Sequence, residues 1–339
     1  MLIMKELLRR LCALPCVTGD EPQSENEIRA LLSPLGEVSF LANGTALCFL
    51  PKAGENLPTV MLEAHLDRIG LMVTRVSPRG FVHAAQAGGA DPRTLAASRV
   101  TIHTKSGAVP GVICSTPPHL ASGDELPDTG DVAIDVGMSE ERAKALVTPG
   151  DRITFDGEFT ELLGDRVCAP GLDNRAGCAA VLHAVELLHE CRTANIVLAL
   201  CSQEEVGGGG AKTAANAVAP DFCFAVDVTF GETPDSDPNE VLRIGGGPAI
   251  GFSPALDRRL CALMRETAES NGIPWQAEVM SRSTGTDADS IAPSGRGVRT
   301  ALVSVPERYM HTAGEVAAIC DIENTARLIA LTVGGGKLQ

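Results

Sequence analysis

Glu204 and Glu205 stand side by side where an apolar run, residues 196–200, gives way to four glycines at 207–210. Such a run reads as a buried strand. Two carboxylates at its end cannot both lose their water without a positive partner. A pair of metal ions meets that need, with one glutamate as ligand and the other as general base. Other residues fit to bind metal stand in comparable places. His65 ends the run 59–64, with Asp67 two residues on; Asp227 ends the run 222–226; His311 follows the run 298–303; Asp173 stands at the entrance of a helical stretch. In open α/β sheets, sites form at the carboxyl ends of strands. These positions therefore offer two imidazoles and three carboxylates to one centre, with one carboxylate to spare. Zinc takes such ligands and keeps a position open for water in catalytic sites. Asp173, Glu205, Asp227 and Glu204 carry four negative charges when ionised, which two divalent cations balance. Two metals ~3.5–4 Å apart can share a bridging carboxylate in a hydrolytic site.

Bland readings compete at each position. Asp67 read alone is a surface acid, but beside a ligand histidine it reads as the carboxylate that fixes the imidazole tautomer. His183 and His189 are six apart on one helix and fall on different faces, so both read as structural, as do His83, His103 and His119. The glycines at 207–210 are not directly followed by Lys-Ser/Thr, which rules out a phosphate loop; their role is close approach of backbone to the site.

The elements that must position these residues follow an α/β pattern. Residues 3–14 and 25–32 read as helices, and 38–50 as a hairpin turning at Asn43-Gly44. From 71 to 163 the pattern changes to short β-type runs, at 71–76, 81–84, 100–104, 109–114, 131–136 and 151–155, with one short helix at 139–146. Turns rich in Gly, Pro and Asp separate them, which indicates a small barrel or sandwich. Strands and helices alternate again after Gly164. Helices are expected at 175–190, 211–217 and 254–270, and strands at 196–201, 222–227, 275–279 and 298–303. Residues 281–297 read as a polar loop, and Thr312-Ala-Gly-Glu315 as a capping box opening a last helix. The fold expected is α/β, a mostly parallel sheet with helices on both faces, formed by residues 1–70 and 164–339, with an inserted small β-barrel domain at 71–163.

Composition narrows the function. The chain has 339 residues, 43 acids and 28 bases, for a net charge of −15. That balance argues against nucleic acid and anionic membranes; its blander reading is solubility, and it would also suit a cationic ligand such as a peptide's free amino terminus. Eleven scattered cysteines without a C-x-x-C pair read as reduced thiols, and the expected location is cytoplasmic. Lys5, Glu6, Arg9 and Arg10 interrupt the apolar stripe of Ile3, Leu7, Leu8 and Leu11, unlike a signal peptide.

These residues place the chain in a known group. It resembles the dizinc tetrahedral aminopeptidases, the glutamyl and leucyl aminopeptidases also labelled endoglucanase M or cellulase M. The matching segments are Ala64-His-Leu-Asp-Arg-Ile-Gly-Leu-Met-Val73, Pro110-Gly-Val-Ile113 with Pro117-Pro-His119, Val132-Ala-Ile-Asp-Val-Gly137, Pro149-Gly-Asp151, Leu172-Asp-Asn-Arg-Ala-Gly-Cys178, Gln203-Glu-Glu-Val-Gly207, Gly285-Thr-Asp-Ala288 and Arg308-Tyr-Met-His-Thr312. The resemblance implies a zinc-peptidase-like domain with a PDZ-like insert and a dinuclear centre. It implies that His65 and Asp227 hold one metal, Glu205 and His311 the other, that Asp173 bridges both, and that Glu204 is the base, with Asp67 beside them. The metal implied is zinc, with cobalt or manganese as alternatives. Peptides are the expected substrates, and Thr286 and Asp287 are candidates for the side-chain pocket. A homo-oligomer is expected, from a dimer up to a tetrahedral dodecamer. Two departures stand out. Arg68 occupies a position where relatives commonly carry Glu or another non-basic residue, and Gly208-Gly-Gly210 replaces a bulkier stretch; both bear on the substrate pocket. Two other activities compete. A metal-dependent deacylase of small amides would use the same centre. A glycoside hydrolase needs two carboxylates flanking a sugar but leaves the histidines unexplained, and aromatics are only 3% of the chain.

Overall fold

The computed structural model describes residues 3–117, 119–120, 126–190 and 193–338. Pro118 of the Pro117-Pro-His119 segment and the last residue of the C-terminal tail lie outside the described residues.

The four central strands read as near-continuous apolar runs because both of their sheet faces are covered: Phe222–Phe230 and Arg299–Arg308 are buried at all but their end residues. Thr59–His65 lies between Asn195–Cys201 and Phe222–Phe230, with Arg299–Arg308 next, and all three pairings are parallel. Their carboxyl ends therefore share one edge. His65 sits opposite Cys201 in the register, and Asp227 opposite Ser304.

The flanking strands join this parallel group antiparallel. On one side Ala46–Phe49 and Glu37–Phe40 continue the sheet antiparallel, joined through the Asn43-Gly44 turn, where Gly44 N donates to Leu41 O at 2.9 Å. On the other side Glu315–Ala318, Arg166–Ala169 and Thr160–Leu162 are antiparallel, while Ala249–Phe252 and Gln276–Val279 form a branch off Arg299–Arg308. The expected mostly parallel sheet is thus corrected to a mixed one. The reason is physical: parallel neighbours need helical crossovers, whereas hairpin turns and short exposed segments such as Thr160–Leu162 can only add antiparallel edges.

Helix Leu172–Leu187 packs on Thr59–His65, Phe222–Phe230 and helix Ile319–Gly334, while Gly209–Val218 packs on Asn195–Cys201 and the short helix Ala288–Ile291. Small residues on the first of these, Ala176, Gly177, Ala179 and Ala180, are fully buried and let it lie close to the strands.

Gly70–Val76, Val82–Ala87, Val132–Asp135, Gly107–Ile113, Arg99–Thr104 and Arg152–Phe155 close in that order into a six-stranded antiparallel barrel. Its core, including Leu71, Val82, Ile102, Ile134 and Ile153, is separate from that of the sheet. All six β-type runs expected between 71 and 163 are strands of this barrel. The short helix is also present, at Glu140–Leu146, with the Ser139 hydroxyl accepting from Arg142 N.

Two local readings are overturned. Thr312-Ala-Gly-Glu315 does not open a helix: Glu315 begins the strand Glu315–Ala318, and the last helix starts at Ile319. The Glu315 carboxylate does reach back to a backbone N–H, as in a capping box, but it is fully buried and shared with a second segment. The stretch 281–297 is not a solvated loop throughout, since it contains helix Ala288–Ile291 and buries Asp287 at 2% exposure.

The glycine run ties sheet to helix. Gly210 N donates to Ser202 O at 3.0 Å, and a Cβ on Gly210 would lie 2.1 Å from that same oxygen. Gly210→Ala should therefore lower stability by about 1–3 kcal/mol through backbone displacement. Gly107→Ala, where φ is +118° and nothing lies within 4 Å, should cost only the ~1–2 kcal/mol of a left-handed residue. Urea midpoints measure both, and only the Gly210 change should also reduce activity.

Candidate metal centre

Asp173 stands between two imidazoles. Its Oδ1 lies 3.2 Å from His65 Nε2 and its Oδ2 3.3 Å from His311 Nε2. His65 Nε2 also faces Asp227 Oδ1 at 3.5 Å, and His311 Nε2 faces Glu205 Oε2 at 3.4 Å. This makes two triads, His65–Asp173–Asp227 and Asp173–Glu205–His311, each with its ligand atoms within 4.8 Å of one another. All five sequence-derived ligand candidates come together, from strand ends, a helix start and a loop that are scattered along the chain.

The remaining ring nitrogens are committed elsewhere. His65 Nδ1 lies 3.1 Å from the main-chain oxygen of Asp67, and His311 Nδ1 lies 2.8 Å from Gly89 O. A proton held at Nδ1 by a carbonyl leaves the Nε2 lone pair facing the carboxylates, the tautomer a metal needs. The Asp67 carboxylate also faces His65 Nδ1, at a longer distance than its own main-chain oxygen. Its Oδ1 is 3.6 Å from His65 Nδ1, and its two oxygens also accept from Glu204 N at 3.1 Å and Glu205 N at 3.2 Å. Asp67 is 0% exposed, and these amides supply hydrogen-bond partners to both of its buried oxygens.

Glu204 and Glu205 diverge because the chain turns between strand and helix. Gln203 has φ +61°, and Glu204–Val206 form a single 3₁₀ turn. Gly208, at φ +71°, leaves the turn where a Cβ would meet Ser290 Oγ at 2.5 Å and Asp287 Oδ1 at 3.0 Å. Of the two pocket candidates, Thr286 shares a hydrogen bond with Thr284 Oγ1, while Asp287 is buried against Glu63 and Cys201 behind His65. Arg68 faces away from the cluster: it is 4% exposed, Nη2 donates to Phe155 O at 3.4 Å, and its Nε packs against Gly171.

Several participants gave no local signal of a place at the site. Glu315 accepts from Asp173 N and His311 N, both at 3.1 Å. The barrel contributes Gly88 and Gly89, where a Cβ would lie 3.2 Å from Glu205 Oε2 and 3.0 Å from His311 Nδ1 respectively. Glu21, from the N-terminal segment, accepts from Gln203 N at 3.1 Å. Each acts on a partner distant in sequence, which is why spacing alone cannot reveal it.

The electrostatics show a cluster short of positive charge. Burial pushes Glu205 up to about 9, with Asp173 adding to the push, and Glu205 Oε1 is buried without a hydrogen-bond partner. Burial likewise raises Glu204 to about 7, with Asp227 and Asp173 adding to it, and raises Asp227. His311 is raised to about 9, chiefly by its hydrogen bond to Asp173. Burial pulls His65 down most, but the aspartates facing it carry it well above its ordinary value. Asp173 is held below the usual carboxylate range because the two imidazoles outweigh its burial. Protons or cations must fill this site, and its N and O donor set suits divalent metal.

Known proteins share these features. The model of the M42 glutamyl aminopeptidase family matches residues 46–328. The lysyl aminopeptidase of Pyrococcus furiosus is 34% identical over 335 residues, covering 95% of this chain and 94% of that protein. An aminopeptidase structure from the archaeon Desulfurococcus kamchatkensis superposes with a TM-score of 0.91 at 31% identity, over 98% of this chain and 94% of that one. The Pyrococcus horikoshii TET1 peptidase, which can assemble into a tetrahedron or a large octahedral shell, superposes at 0.86 and 31% identity, over 98% and 99% of the two chains.

The raised groups set a pH dependence for chelator-stripped protein. Glu205, at about 9 in the fold, and His311, also at about 9, both bind protons more tightly folded than unfolded. The folded state then holds the larger number of protons between the unfolded and folded values, and stability falls as pH rises. His311 contributes fully below about 6.5 and loses its contribution as pH passes about 9; the Glu205 penalty grows over about 4.5 to 9. The melting temperature of the stripped protein should fall from pH 5 to pH 9, and divalent metal should flatten that slope. Differential scanning fluorimetry reads both.

Proposed function

The chain belongs to the M42 glutamyl aminopeptidase family, and we propose that its two triads hold two divalent metal ions with Asp173 shared between them. It is a metal-dependent aminopeptidase that hydrolyses N-terminal residues from peptides. In this reading His65 and Asp227 hold one ion, and Glu205 and His311 the other. The observation that carries it is the division of the Asp173 oxygens between the two imidazoles. The residues fit the ions well: both Nε2 atoms face carboxylates, and Glu205 Oε1 is buried and unpartnered. Four carboxylates against two divalent ions also leave a neutral cluster. Zinc is the metal proposed, with cobalt and manganese as alternatives.

Bound ions would polarise the scissile carbonyl and acidify the attacking water. Glu204 takes that water's proton on its carboxylate and returns it to the leaving amine. A residue raised towards about 7 by burial is suited to both tasks near neutral pH. Asp67 holds Glu204 and Glu205 by their amides, so its part is positioning. The surrounding acids receive the substrate's free ammonium group, which restricts cleavage to the first peptide bond. Thr286 is the proposed contact for the first side chain, and burial gives Asp287 a supporting part beneath Gly208. The deacylase alternative uses the same centre and differs only in substrate.

We assign catalysis to residues 1–70 and 164–339 and treat 71–163 as a PDZ-like insert. A homo-oligomer follows by likeness to the shell-forming Pyrococcus horikoshii relative, and a cytoplasmic location from free cysteines among the described residues. Among the described residues, no helix is long and apolar enough to cross a membrane.

Glu204→Gln should bind metal normally and lose about 10²–10⁴-fold in kcat; near-normal turnover would overturn the base assignment. Separately, a chelator should abolish hydrolysis across a panel of aminoacyl-p-nitroanilides, and added zinc, cobalt or manganese should restore it. Activity on acylated small amides but on no aminoacyl substrate would favour the deacylase.

A further inference from the structure

Four consecutive backbone N–H groups leave the strand Asn195–Cys201 and enter the turn that carries Glu204. None of them donates to backbone. Ser202 N donates to Thr45 Oγ1 at 3.2 Å, Gln203 N to Glu21 Oε1 at 3.1 Å, Glu204 N to Asp67 Oδ1 at 3.1 Å and Glu205 N to Asp67 Oδ2 at 3.2 Å. Three side chains, each distant in sequence, hold one turn residue by residue.

Glu21 is the costly member. It is 1% exposed, its Oε1 accepts from Gly19 N at 3.1 Å as well as from Gln203 N, and its Oε2 is buried without a partner. A buried carboxylate with one unused oxygen destabilises a fold. The N-terminal segment is nevertheless shaped around it: a Cβ at Gly44 would press on Glu21 Cβ at 3.2 Å and Pro22 Cδ at 3.0 Å. The amide it holds belongs to Gln203, whose φ of +61° is an uncommon conformation for a residue with a side chain. That residue turns the chain, and its orientation decides where the side chain of Glu204 points. Glu21 lies outside residues 46–328 matched by the family model.

We propose that Glu21 is a positioning residue for catalysis: by anchoring the Gln203 amide it fixes the direction of the Glu204 carboxylate. The inference rests on Glu204 being the general base. Misplacing a catalytic group by about 1 Å can cost ~10²-fold in rate, and loss of this anchor acts on rate more than on substrate or metal binding.

The test compares Glu21→Ala, Glu21→Gln and Glu204→Gln in the metal-loaded full chain, with an aminoacyl-p-nitroanilide that the wild type hydrolyses. Glu21→Ala should lower kcat about 10–100-fold with KM and metal content close to wild type. Glu21→Gln keeps an oxygen acceptor for both amides and should restore most of kcat. If Glu21→Ala does not fold, Glu21→Asp withdraws the acceptor by one methylene and should show the same kcat loss with unchanged KM. Wild-type kcat in the Ala or Asp variant, with Glu204→Gln inactive, overturns the role of Glu21 and leaves the base assignment standing. So does a Gln variant as slow as the Ala variant, or a kcat loss matched by loss of metal. Normal turnover by Glu204→Gln overturns the base assignment itself, and this inference with it.

Discussion

Like charge crowded out of water is the condition that organises this molecule. Two unit charges 4 Å apart repel by about 4 kcal/mol in a protein-like dielectric, and Asp173, Asp227, Glu204 and Glu205 share a small, largely buried space. Much of the surrounding structure supplies positive or polar partners to that space. The parallel strands end together and deliver His65. The barrel supplies the Gly89 carbonyl to one side of His311, and Asp91 N donates to His311 O at 3.3 Å. The imidazole is thus gripped at ring and backbone by the barrel, and at its own N–H by Glu315. A Cβ at Gly89 would lie 3.0 Å from the His311 ring, so glycine here leaves room for the carbonyl's close approach to the ring.

How far the centre can be read from sequence depends on whether a residue acts where its own element ends. His65, Asp227 and Glu205 lie where apolar runs stop, and for parallel strands that is where sites form. Those positions, and the six barrel strands, were legible from pattern alone. Groups acting across the fold were not. Glu21 looks like the first turn of a helix, and its partner lies 182 residues away. Glu315 carries the sequence signature of a capping box, but its buried carboxylate accepts from the amides of Asp173 and His311. The sheet was misread for a related reason: apolar runs show which strands are covered but not the direction of their neighbours.

Adjacent glutamates with different tasks need the chain to leave the strand between them and the ladder. The turn does this at Gln203, and every amide freed by it must find an acceptor. Thr45, Glu21 and Asp67 are those acceptors, so the same carboxylates that add to the crowding of charge also hold the turn that carries Glu204 and Glu205. The Glu204 and Glu205 amides account for a carboxylate at Asp67 that is wholly buried.

Arg68 belongs to this supporting layer rather than to the substrate pocket. It lies beside Gly171, next to the Asp173 segment, and reaches the barrel through Phe155 O. Burial raises Glu315 to about 8, and Asp173 adds to the push; Arg68 opposes both. A positive charge here therefore favours the ionised Glu315 that best accepts from Asp173 N and His311 N. An acid at position 68 would instead place another negative charge behind Asp173 and work against Glu315. The departure at this position thus adjusts how firmly Glu315 holds the Asp173 and His311 amides.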